Sequence, residues 1–183
     1  MNDTTNQIEK KIDRPDWLEF FLKEFDRESD RAAVILASAL IDDTLRELLD
    51  GYLLSCPSSS DPLFDGNGPM SSFSSRIELS YRLGLISRDF ASGLNILRRI
   101  RNSFAHDLAG CSFESQSVRG RVDALCRLSK ATESQVDNID RYSWKKPRDR
   151  FCYVIGYFLW CLKHDQSKIS TIDESGAIDC KFD

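Results

Sequence analysis

This 183-residue chain has only two histidines, two methionines and no Cys-x-x-Cys pair. With His106 and His164 as its whole supply, the placement of each imidazole carries information. The six cysteines, at 56, 111, 126, 152, 161 and 180, are scattered. That spacing argues against a disulfide framework and against zinc, and favours reduced thiols acting as small hydrophobes. No residue pattern implies a metal or a cofactor. A long apolar run is also missing. The longest, Phe151 to Leu162, falls short of the roughly 20 residues that a membrane-spanning helix needs. The opening MNDTTNQIEKKIDRPD is polar and does not read as an export signal. The expectation is a soluble, cytoplasmic protein with no membrane partner. Alternating strand patterns and internal repeats are absent as well.

What is present is a helical pattern. Pro15 fits a first-turn proline, with Trp17, Leu18, Phe20, Phe21, Leu22 and Phe25 following at helical intervals. A long second helix is expected from about Glu28 to Leu54, broken late or ended by Gly51. Its alanine- and leucine-rich centre marks it as the central helix of a bundle. Residues 55–73 read as a loop held down by Leu63, Phe64, Met70 and Phe73. Ser75 and Glu78 fit a capping box opening a third helix. A fourth starts near Ser87, and a fifth runs from about Val118 to Leu128. The last, from about Arg148 to Lys163, is apolar nearly all round. A helix of that kind is buried centrally or covered on its other side by a partner subunit. The fold class is therefore all-α, a single bundle of about six helices over residues 1–164, with a polar, flexible C-terminal tail over 165–183.

Net charge is −4, which disfavours an unaided grip on DNA. Its distribution is uneven. Residues 1–75 hold 7 Lys+Arg against 15 Asp+Glu, and residues 76–130 hold 10 against 5. The favoured reading is that the basic middle third pairs with the chain's own acidic N-terminal third. Lys145, Lys146, Arg148 and Arg150 read as a solvated helix start.

Three blocks in order, EFDRESDRAAVILASALIDDTLRELL, LFDGNGPMSSFSSRIELSYRLGLI and LNILRRIRNSFAHDL, resemble the mannitol operon repressor family over about residues 17–110. The resemblance implies an all-helical protein that exerts negative control over sugar-utilisation operons. It implies no evident helix-turn-helix, so that regulation through protein contacts is favoured over direct DNA binding. A homodimer with a regulatory protein partner is the corresponding expectation.

The third block carries a second resemblance. Arg101-Asn102, three residues and His106 are similar to the R-polar-x-x-x-H motif of HEPN domains, many of which are metal-independent ribonucleases. This alternative makes Arg101, Asn102 and His106 catalytic and RNA the substrate. Histidine would move the protons and arginine would hold the phosphorane charge. On a continuous helix, five residues turn through about 500°, leaving the two side chains roughly 140° apart. Convergence therefore requires the helix to end near Phe104, and a dimer to bring two motifs together. The competing structural reading has Arg101 and His106 complementing the helix dipole. A supporting network is expected from Glu28, Asp30, Arg31, Asp42 and Arg98. Glu28 and Asp42, fourteen residues apart on one face, would hold Arg98 or Arg101 across the bundle.

Overall fold

In the computed structural model, residues 23–107, 110–139, 142–173 and 175 are described. Residues 23–27 are helical. The rest of the expected first helix, Pro15 to Leu22, lies outside the described residues. Ser29 then opens helix α1, Asp30–Tyr52, by accepting a hydrogen bond from the Ala32 N–H at 3.2 Å. Its buried residues, Ala33, Val34, Ala37, Ser38, Ile41, Thr44, Leu45, Leu48 and Leu49, recur every three or four positions and form one inward stripe. Ser38 and Thr44 return their hydroxyls to the carbonyls of Val34 and Leu40, so the stripe carries no orphaned hydroxyl. Gly51 does not end the helix, which runs one residue further.

Helix α2 spans Phe73–Arg82, α3 Arg88–His106, α4 Gln116–Ser129, α5 Glu133–Asp137 and α6 Pro147–Gln166. The described residues contain no strand, and the fold is all-α as the sequence implies. Ser72, not Ser75, caps α2: its side chain accepts from the Ser75 N–H, and Ser75 sits inside the first turn. Ser87 caps α3 as expected.

Helix α1 packs against α2, α3 and α6, while α4 is wedged between α3 and α6. Two contacts set direction. Asp30 meets Arg148 near the starts of α1 and α6, and Glu47 meets Lys163 near their ends, so these helices run parallel. Arg31 reaches the carbonyls of Phe104 and Asp107, so α3 runs antiparallel to α1. Gly93 of α3 lets α6 approach: a Cβ there would lie 2.7 Å from the Phe158 ring. The rings of Phe104, Phe113 and Phe151 form a buried chain with centroids 5.4 and 5.1 Å apart. It lies beneath the end of α3.

The loop before α2 is held down more by arginine than by apolar side chains. Phe64 is buried, whereas Leu63, Met70 and Phe73 are only half-buried. Arg46 pairs with Asp65 at 2.9 Å and lies over the Phe64 ring. Arg76, buried, donates to the Met70 carbonyl and pairs with Asp42 at 2.8 Å. At the other end, Thr171 and Ile172 hydrogen-bond to the carbonyls of Gly51 and Tyr52. No helix among the described residues is long and apolar enough to cross a membrane.

Candidate functional site

The stretch RIRNSFAHDL ends α3, and the helix does not break inside it. It continues through His106, and Asp107 is the C-cap, its backbone N–H donating to the Ser103 carbonyl at 3.0 Å. The free carbonyls left by that ending are met from outside. Arg31 gives one guanidinium nitrogen to the Phe104 carbonyl and another to that of Asp107, at 2.7 Å. The cation that answers the helix dipole here therefore comes from α1.

Because α3 is continuous, Arg101 and His106 point roughly 140° apart. His106 is exposed on a depression of about 350 Å³, lined also by Ser103, Asp107, Gly110, Cys111, Ser115 and Ser117. Arg101 is exposed elsewhere, bonded to Asn102 Oδ1 at 3.2 Å. The condition that RNA cleavage places on this motif, a helix end between the two residues, is not met. Arg121 on α4 does reach the depression, donating to Ser103 Oγ at 2.6 Å. Burial, then the charge of Asp107, pushes the Cys111 thiol pKa up.

The acids expected to form one supporting network sit in separate pairs, with partners other than Arg98 and Arg101. Asp30 pairs with Arg148 at 2.6 Å and accepts from the Phe113 N–H at 3.3 Å. Arg148 also donates to the carbonyls of Phe25 and Glu28, both at 2.6 Å. Glu28 thus contributes its backbone, and it precedes the cap Ser29, so the fourteen-residue helical spacing to Asp42 does not apply. Asp42 holds Arg76. Burial pushes the Asp42 carboxyl pKa up, and Arg76 opposes that shift. Arg98 takes neither acid, and its Nε is buried without a hydrogen-bond partner.

Of the basic cluster at the start of α6, only Lys145 and Lys146 are solvated. Arg148 and Arg150 are half-buried and paired, Arg150 with Asp123 at 2.9 Å. The basic middle third meets the acidic N-terminal third through Arg76 and Asp42, whereas Arg99 and Arg101 stay exposed. Arg76 and Arg121 are organising residues that sequence reading passes over, and Arg148 is one that it reads as solvated. One signal was present for the first: Arg76 shares a helical stripe with Phe73 and Ser80, both turned inward.

Residues 29–156 match the sequence pattern of the mannitol repressor family. No curated protein matches the chain significantly. Two solved structures share the fold. One is in the X-ray structure of the MtlR–HPr complex from Escherichia coli, at 20% identity and TM-score 0.61, covering 80% of this chain and 98% of that one. The other is the crystal structure of YggD from Shigella flexneri 2a, described as a possible transcriptional regulator. It stands at 11% identity and TM-score 0.62, covering 79% and 96%. At these identities the likeness is one of fold.

Proposed function

The chain belongs to the mannitol repressor family, and from that premise we propose that it is a regulator of sugar-utilisation genes acting through protein–protein contacts. Its partner in this reading is a protein of the HPr kind. The observation that carries the proposal is the near end-to-end likeness to a protein solved in complex with HPr. Charge supports the same direction. A chain of net charge −4 is repelled by a phosphate backbone, and its α1 carries the exposed acids Asp43, Glu47 and Asp50.

The expected homodimer fits this reading, because a symmetric regulator presents its partner site twice. Calorimetric titration of the purified full chain with the HPr encoded in the same genome tests the proposal. Saturable binding supports it. No binding, together with a sequence-specific shift of promoter DNA, overturns it.

A further inference from the structure

Among the described residues, all five exposed large apolar side chains lie on α1, on α6 or beside the end of α1. They are Ile35, Leu36, Leu54, Tyr157 and Ile172. Ile172 is tied to that end by its N–H on the Tyr52 carbonyl, at 2.8 Å. Such clustering is not the scatter expected of a surface with nothing to bind.

The helix geometry places these side chains along one seam. On α1, Leu36, Asp43 and Glu47 return to within about 40° of one another. On α6, the half-buried Trp160 and exposed Lys163 lie about 60° apart. Glu47 meets Lys163, so the two stripes border each other along the outer side of the α1–α6 pair. Ile35 and Ala39 extend the apolar surface on the α1 side, and Tyr153 and Tyr157 extend it on the α6 side. The Tyr157 and Trp160 rings stack at 6.1 Å, and Trp160 stacks on His164 at 5.1 Å. In that ladder Tyr157 and His164 are exposed and Trp160 is half-buried.

We propose that this seam is where a second copy of the chain packs, the α1–α6 pair of one protomer against the α1–α6 pair of the other across a two-fold axis. Size is the first argument. Two helices of this length side by side present a face about 30 Å long and about 20 Å wide, on the order of 600 Å² in projection. That is of the same order as the ~800 Å² each partner contributes to a stable interface. Charge is the second. The exposed ionised groups along the seam, Asp43 and Glu47 on α1 and Lys163 on α6, carry both signs and lie toward its C-terminal half. A rim of mixed sign complements itself under a two-fold rotation, whereas a rim of one sign calls for a partner of the other. The third argument is α6 itself. Its apolar residues cover more of its circumference than one copy buries, which leaves Tyr157 40% exposed.

The test is light scattering on the full chain after size exclusion, with Leu36→Glu and Tyr157→Glu beside the wild type. A wild-type mass of twice 20.9 kDa is expected. Each variant should weaken self-association by about tenfold or more, as loss of a central apolar anchor does, with wild-type helicity by circular dichroism. If a glutamate variant loses helicity, Leu36→Ser and Tyr157→Ser replace it under the same criterion. A wild-type chain that stays monomeric at every concentration overturns the proposal, and so do folded variants that remain dimers. Neither result touches the HPr titration, which reads a different partner.

Discussion

The guanidinium of Arg31, on the second residue of α1, lies 2.7 Å from the carbonyl oxygen of Asp107, the C-cap of α3. With its second bond to Phe104, Arg31 closes the helix end that the RIRNSFAHDL stretch leaves open. The residues there that look chosen for chemistry are thus arranged first by a contact made 76 positions away. Arg31→Ala is expected to lower stability by about 1–2 kcal/mol, the cost of leaving charge-assisted carbonyl contacts unmade. Urea melts check it. Arg31→Lys, which cannot bridge both carbonyls with a planar fork, should fall between the two.

Gly93→Ala is expected to destabilise by about 1–3 kcal/mol, because the new methyl meets the Phe158 ring at 2.7 Å and that ring is already packed on Phe90. Phe158→Leu in the same chain should recover part of the loss. A double-mutant cycle with no coupling between the two positions would contradict the packing described.

Asp149 supplies a pH test. Burial, the largest effect on it, pushes its carboxyl pKa above the usual value, against the opposing hydrogen bond from the Ser143 N–H. A carboxyl raised on folding stabilises the fold below its unfolded pKa, and that contribution is lost as pH rises through the folded value. Asp149→Asn keeps an oxygen to accept from Ser143 and removes the charge. The variant should therefore gain on the wild type at neutral pH, and the gain should shrink on acidification through the carboxylate range. Thermal melts across that range decide it, and a difference that does not vary with pH contradicts it.

Arg101 and His106 lie about 140° apart on one unbroken helix, so within one chain they do not converge on a common point. Purified protein is expected to leave a varied RNA pool intact in EDTA, and His106→Ala to change neither that result nor stability by more than about 0.5 kcal/mol, as for an exposed site. Metal-independent cleavage lost in the variant would contradict this.

Much of the fold was legible because helices announce themselves locally. The inward stripe of α1 and the Ser87 cap of α3 are written in adjacent residues. Errors arose where two local signals competed. Four serines surround Phe73, and only tertiary contacts decide that Ser72 rather than Ser75 is the cap. The polar site was less legible for a deeper reason. Asp30 and Arg148 stand 118 positions apart, and no periodicity links them. Arg148, read as solvated, and Asp42, read as holding Arg98 or Arg101, took partners that only the packing of α1, α2 and α6 supplies.

In the function proposed, this chain regulates by binding another protein and not by gripping nucleic acid. The most direct measurement is one calorimetric comparison at moderate salt: the full chain titrated with HPr from the same genome, and separately with DNA from a sugar-operon promoter. The account predicts saturable binding of one HPr per chain and no sequence-specific heat from the DNA. Specific DNA binding with no response to HPr would contradict it.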